Sequence, residues 1–229
     1  MSIDKKMNFE ERIRILSNFL GYGNPETAKI VFIGIELGGE FWRTKEKNAN
    51  SYTEKTDLAD IRMNLYRENQ ILPYQLWHKE HHMLPKGFDA WYQGLKPAVT
   101  ERMQCYFSIQ IRKNIFKDRN VSSEVNQYYI SDFLKDVELQ LNLSPFARHG
   151  TNSNYDPEAL KYLGLENENE DTVRHTFVFQ RKRFNAIRDA INKIQNAFII
   201  FTFDWFIEDC QELCSKLFDS PIYLETKNI

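Results

Sequence analysis

Short segments that we interpret as near-continuous apolar runs stand out along the chain. Three of them cover residues 29–35, 137–143 and 197–203, and a fourth covers 221–226. Strands buried on both faces of a parallel sheet show such continuous runs, whereas strands with one solvated face alternate between apolar and polar residues. The pattern therefore predicts four strands in a mostly parallel sheet.

Segments with helical periodicity separate these predicted strands. Apolar residues recur every three or four positions in 8–20 and in 172–195, as on the buried stripe of an amphipathic helix. Weaker helical patterns fall in 58–70, 88–116, 157–163 and 205–218. An alternation of strands and helices is typical of α/β proteins. We therefore predict a single domain over residues 1–229, folded as a three-layer α/β/α sandwich with a mostly parallel four-stranded sheet.

Composition limits the classes of protein to consider. The chain has 229 residues, of which 42% are hydrophobic and 14% aromatic, enough for one sizeable core. The formal net charge of −2 excludes a uniformly basic nucleic-acid-binding surface but leaves room for a local basic patch. Because no apolar stretch is long enough to span a membrane, we expect a cytoplasmic protein without a membrane partner.

The cysteines and histidines do not form a recognisable metal site. Cys105, Cys210 and Cys214 are an odd number, which favours free thiols. Cys210 and Cys214 could share one helix face, and so could His78 and His82, but neither pair has further ligands at the spacing of a metal site. We therefore expect neither a metal nor another cofactor.

The candidate chemistry follows the first and second predicted strands. In open α/β sheets, ligands bind beyond the carboxyl ends of the strands. Gly34 and Gly38 lie at the first of these ends, where a missing Cβ lets a ligand approach the backbone, and Glu36 lies between them. Taken alone, these residues fit a tight turn with an exposed acid equally well. Asn142, near the second strand end, could likewise cap a turn before Pro145.

Two segments resemble motifs of the uracil-DNA glycosylase superfamily. The segment GNPETAKIVFIGIELGG resembles the first motif, in which a strand ends in glycine and a short polar or acidic loop follows. LQLNLSPF is similar to the superfamily strand that ends in asparagine. The resemblance implies that Glu36 orients the attacking water and that Asn142 reads the edge of a pyrimidine. An asparagine amide suits that role because it donates and accepts hydrogen bonds at once.

The chain departs from the superfamily at two points. Leu37 stands where the first motif usually has proline, and no histidine follows His175, whereas active members carry a histidine after the last strand. The resemblance therefore implies either a truncated member or a divergent one that lacks the terminal histidine motif, and we take the second as the working prediction. Its function would be DNA base excision, by hydrolysis of an N-glycosidic bond. The alternative is an inactive nucleotide- or nucleic-acid-binding module of the same fold, and a third possibility is another α/β hydrolase with Glu36 as base.

The predicted site residues fall into three groups, with DNA or a nucleotide as the partner. The catalytic residue is Glu36. The base-binding residues, which include aromatic side chains that could stack on the base, are Gly34, Gly38, Phe41, Trp42, Asn142 and Phe146. The phosphate-binding residues are Arg148, Arg181 and Arg183. A basic stretch such as 181–183 is also what an ordinary solvated helix face shows.

Overall fold

The computed structural model describes residues 9–36, 66–68, 70–73, 99–144, 157–169, 172–173, 176, 181–194 and 196–202. The helices within these ranges are α1 (Phe9–Asn18), α2 (Val99–Asn114), α3 (Val125–Ser131), α4 (Pro157–Tyr162) and α5 (Arg181–Asn192). The strands are β1 (Gly21–Gly23), β2 (Ile30–Glu36), β3 (Ile71–Leu72), β4 (Glu138–Ser144) and β5 (Phe198–Phe201).

The strands form one mixed sheet of five, in the order β3-β1-β4-β2-β5. β2 lies between β4 and β5 and is parallel to both. β1 pairs antiparallel with β4, and β3 pairs parallel with β1. The prediction of a mostly parallel four-stranded sheet is thus corrected. Three predicted strands, β2, β4 and β5, are parallel neighbours. Two short strands that were not predicted, β1 and β3, lie on the side of β4 away from β2 and run antiparallel to β4. The predicted strand 221–226 lies outside the described residues.

β1 was not predicted because its glycines look like a helix terminator. α1 does end at Asn18, but Gly21 then pairs with Leu141 of β4. A Cβ on Gly21 would lie only 1.8 Å from the carbonyl oxygen of Gln140. The glycine is therefore required by the close approach of two strands rather than by the end of the helix.

Helices cover both faces of the sheet. On one face, α5 packs on the strands through a cluster that includes Val31, Ile33, Leu139, Leu141, Leu143, Phe184, Ile187 and Ile191. On the other face, α2 and α3 pack on the strands through a cluster that includes Ile30, Phe32, Cys105, Ile109, Tyr128 and Phe133. Successive residues of β2 alternate between the two clusters, as the period of a strand requires. The described residues therefore have the layered α/β arrangement expected from the sequence.

The direction of α2 follows from ring contacts near its C-terminal end. The ring of Phe116, two residues beyond the helix, lies 5.9 Å from the ring of Phe198, which opens β5. The ammonium of Lys29, just before β2, lies 5.8 Å from the centre of the same Phe116 ring. The C-terminal end of α2 therefore lies at the amino ends of the parallel strands. Its N-terminal half extends toward their carboxyl ends.

We expect Gly21→Ala to lower the free energy of unfolding by about 2 kcal/mol or more, because the new methyl group would overlap a backbone carbonyl that cannot move alone. Urea denaturation measures the change. Gly164→Ala is the matched control, since no atom lies within 4 Å of the position that its methyl group would take and only its φ of +70° opposes a side chain. That substitution should cost about 1 kcal/mol. Equal losses in the two variants would contradict the close approach of β1 and β4.

Candidate functional site

Three residues meet where the parallel strands end. Gly34 of β2 lies opposite Asn142 of β4 in the sheet register. Thr202, directly after β5, donates its backbone N–H to the carbonyl of Ile33 at 3.0 Å. A Cβ on Gly34 would lie 3.0 Å from Asn142 Oδ1 and 3.5 Å from Thr202 Oγ1. The structure thus brings together two of the predicted site residues, Gly34 and Asn142, and adds Thr202.

The side chain of Asn142 is buried without hydrogen bonds. Its relative exposure is 0%, and neither Nδ2 nor Oδ1 has a hydrogen-bond partner among the described residues. Its backbone, in contrast, is fixed: the N–H donates to the carbonyl of Leu20 at 2.9 Å, and the carbonyl accepts from Arg183. Because a buried amide without partners costs about 1–3 kcal/mol, this arrangement needs an explanation other than stability.

The backbone of Glu36 lies close to this group. β2 and β4 continue two residues beyond the pair of Gly34 and Asn142, and there Glu36 pairs with Ser144. Ser144 is fully buried. The predicted catalytic role of Glu36 stays a prediction, since only its backbone is described.

Five predicted site residues lie outside the described residues. They are Gly38, Phe41, Trp42, Phe146 and Arg148. Their assigned roles in base and phosphate binding therefore stay predictions. So do the suggested histidine and cysteine pairs, 78 with 82 and 210 with 214, which also fall outside the described ranges.

Arg183 does not have the exposed position that phosphate binding requires. It is 2% exposed, and its guanidinium donates to backbone carbonyls: Nε to Leu143 at 2.8 Å, Nη2 to Asn142 at 2.6 Å and Nη1 to Phe19 at 2.5 Å. Burial lowers the pKa of the guanidinium to about 9, so it stays charged at neutral pH. The prediction is corrected: Arg183 anchors the backbone, whereas Arg181 is exposed.

A second buried polar group, not anticipated from the sequence, lies at the amino end of β4. Glu138 is 0% exposed, and its Oε1 accepts a hydrogen bond from the hydroxyl of Tyr128. Arg112 donates to that hydroxyl at 3.3 Å and pairs with Asp118 at 2.7 Å. Burial raises the pKa of the Glu138 carboxyl to about 7, while Tyr128 and Arg112 act in the opposite direction. The available signal was the polar residue at every second position of 137–143, which puts Glu138 on the same face of β4 as Asn142.

α2 presents further buried polar atoms to the sheet. Gln104 is 1% exposed and Ser108, one turn later, is 0% exposed. Both polar atoms of the Gln104 amide, Ser108 Oγ and Glu138 Oε2 lack hydrogen-bond partners among the described residues. The Ser108 hydroxyl is nonetheless near enough to Glu138 to lower the pKa of that carboxyl, although the pair does not reach normal hydrogen-bond geometry.

Neither a metal site nor a membrane span is found in the part of the chain that the structure describes. No group of three His, Cys, Asp or Glu side chains there could hold a metal ion. No helix in the described ranges is both long and apolar enough to cross a bilayer.

Comparisons of this chain with protein-family models, with curated proteins and with solved structures find no match. The resemblance to uracil-DNA glycosylases therefore rests on its two motifs. What the site does has to be inferred from the side chains at the carboxyl ends of β2 and β4.

The Glu138 carboxyl should make stability depend on pH. Because its pKa is raised in the folded state from an ordinary value of 4.5, the folded protein holds a proton that the unfolded chain releases between pH 4.5 and about 7. Stability from this group is therefore fully present below pH 4.5 and is lost as pH rises through about 7. Relative to Glu138→Gln, the unmodified protein should lose about 2–3 kcal/mol between about pH 5 and pH 8.

Urea denaturation of both proteins at the two pH values measures this difference. Glu168→Gln is the control, because Glu168 is an exposed carboxyl. Parallel pH dependence in the unmodified protein and Glu138→Gln would show that Glu138 does not hold the proton.

Proposed function

We propose that the carboxyl edge of β2 and β4 binds a nucleobase, and that the chain is a divergent uracil-DNA glycosylase-like protein that acts on DNA. The observation that carries the proposal is the buried Asn142 amide, whose donor and acceptor have no partner among the described residues. It lies beside Gly34, where a side chain would come within 3.0 Å of Asn142 Oδ1.

The chemistry of a carboxamide suits a nucleobase edge. One amide can donate to a ring carbonyl and accept from the neighbouring ring N–H, which forms two hydrogen bonds with a lactam such as that of uracil. A bound base would give the Asn142 amide the partners it lacks. The backbone bonds of Asn142 to Leu20 and Arg183 hold the residue in place before any ligand arrives, which limits the entropy lost on binding.

A glycosylase reaction would place Glu36 next to this base. The base must first leave the duplex, because its glycosidic bond is not accessible within the stack. Water then attacks C1′ of the sugar, the C1′–N bond breaks and the base leaves with the bonding electrons. A carboxylate assists by orienting the water, accepting its proton and stabilising positive charge on the sugar. Glu36 lies two residues beyond Gly34 along β2, about 7 Å further along the strand.

The alternative is a module of the same fold that binds a nucleotide or nucleic acid without cleaving it. One observation favours it: Leu37 replaces the proline of the resembled motif. Both versions share the base-binding role of Asn142 and differ in what Glu36 does.

Replacement of Asn142 tests the shared role. Asn142→Leu removes the donor and the acceptor while keeping a similar volume, so binding of a uracil-containing single-stranded oligonucleotide should weaken at least about tenfold. Stability should not fall and should rise by about 1 kcal/mol, since an unpaired buried amide is lost. Fluorescence anisotropy and urea denaturation measure the two effects. Unchanged binding in a folded variant would remove Asn142 from the site.

Glu36→Gln separates the enzyme from the binding module. If Glu36 activates water, the variant should bind the same oligonucleotide with unchanged affinity but release free uracil at least about a hundredfold more slowly. Base release from single- and double-stranded uracil-containing DNA measures this rate. Release at the unmodified rate in Glu36→Gln would rule out the catalytic assignment. Binding without release by the unmodified protein would favour the module.

A further inference from the structure

The buried polar side chains of α2 lie on the same face of the sheet as Asn142. Glu138 and Asn142 are four residues apart on β4, so both belong to one face of that strand. Glu138 identifies this face as the one under α2 and α3, because it accepts a hydrogen bond from Tyr128 of α3, which shares a buried cluster with Cys105 of α2. Gln104 lies one residue before Cys105 and one helical turn before Ser108, and all three are buried, so Gln104 belongs to the covered face of α2. Gln104 and Asn142 therefore approach the same interlayer space from opposite sides.

The antiparallel direction of α2 sets their positions along that space. Gln104 is one helical turn, about 6 Å, closer to the carboxyl edge than Ser108. Asn142 lies four residues beyond Glu138 along β4, about 13 Å toward the same edge. The two amides thus both lie toward the carboxyl edge, one on the helix and one on the strand. Neither amide has the other as a hydrogen-bond partner.

We propose that Gln104 is a second recognition residue of the site, and that it donates a hydrogen bond to a second ring carbonyl of the base, on the edge that Asn142 does not bind. This inference rests on the proposed base-binding function. Its structural basis is a pair of buried carboxamides, one from β4 and one from α2, that both have a free donor and a free acceptor among the described residues.

The surroundings of the pair select the class of ligand. The cation of α2 that faces this layer, Arg112, already pairs with Asp118 and donates to Tyr128. The other buried polar atoms without partners in the described ranges belong to Ser108 and Glu138, and neither supplies positive charge. Among the described residues, nothing would therefore compensate for the desolvation of an anionic group here. The ligand that fits these groups is a neutral planar heterocycle with two ring carbonyls, such as uracil, whose second carbonyl stays available when N1 carries a sugar.

A pair of small probes tests this two-edge recognition. Uracil has two ring carbonyls, whereas 2-pyridone has a single lactam edge and a similar ring. The unmodified protein should bind uracil about tenfold more tightly than 2-pyridone, as one additional hydrogen bond to the second carbonyl predicts. In Gln104→Leu this preference should disappear, with uracil affinity falling to that of 2-pyridone. Ligand-observed NMR titration measures the dissociation constants.

The control lies on the same helix. Gln110 is exposed on α2, so Gln110→Leu should keep the preference for uracil. Gln104→Met provides a second apolar variant with an unbranched side chain, in case Gln104→Leu does not pack. Urea denaturation should show both Gln104 variants at least as stable as the unmodified protein, because an unpaired buried amide is removed.

The outcomes separate this inference from the function on which it rests. Loss of the preference in a folded Gln104 variant, with Gln110→Leu unchanged, supports two-edge recognition. If Asn142→Leu abolishes binding but Gln104→Leu and Gln104→Met keep the full preference for uracil, the role of Gln104 is refuted while base binding stands. If the unmodified protein binds neither probe nor the oligonucleotide, the proposed function fails, and the inference fails with it.

Discussion

The guanidinium of Arg183 joins three distant parts of the chain at one buried point. It extends from α5 and donates to the carbonyl of Phe19, just after α1, and to the carbonyls of Asn142 and Leu143 in β4. The carbonyls at the end of α1 have no partner within the helix, so the cation also completes that helix end. Since this charge is 2% exposed, its hydrogen bonds have to compensate for the water it gives up. The position of Asn142 depends on the same bonds.

The buried polar groups on the opposite face of β4 differ from Arg183 in their hydrogen bonding. Where Arg183 is fully occupied, the layer between the sheet and α2 contains six buried polar atoms without partners among the described residues. An apolar layer of the same volume would be more stable, because each unpaired atom loses its hydration without replacement. Local departures from the rules of stability are expected at functional sites. The two faces of one strand thus show a buried cation with its hydrogen bonds formed on one side, and buried polar groups without partners among the described residues on the other.

Elements were predictable from the sequence where one local pattern determines the structure. β2 and β5 are continuous apolar runs, β4 alternates between apolar and polar residues, and α1 and α5 have clear amphipathic stripes, so their existence followed from local pattern alone. Gly34 and Asn142 were assigned to one site because both lie near the carboxyl ends of predicted strands, and the structure places them opposite each other.

Elements were not predictable where contacts between residues far apart in the sequence determine the structure. β1 exists because Gly21 lets two strands approach closely, and β3 contains only two residues, too few for any period. The basic run 181–183 does not indicate that Arg183 is buried. Its hydrogen bonds to carbonyls just after α1 and in β4 come from residues that are distant in the sequence. Gln104 likewise looks like any polar helix residue until the direction of α2 is known.

The shortness of β3 has a consequence for how this protein behaves at high concentration. β3 is the outermost strand on one side of the described sheet, and with two residues it has few free backbone N–H and C=O groups to offer another chain. Longer flat edge strands act as templates for intermolecular pairing, and natural proteins often shorten them. β1 and β3 therefore shield the seven-residue β4 from such pairing. On this side, the sheet that carries the candidate site offers little free backbone to which another chain could add.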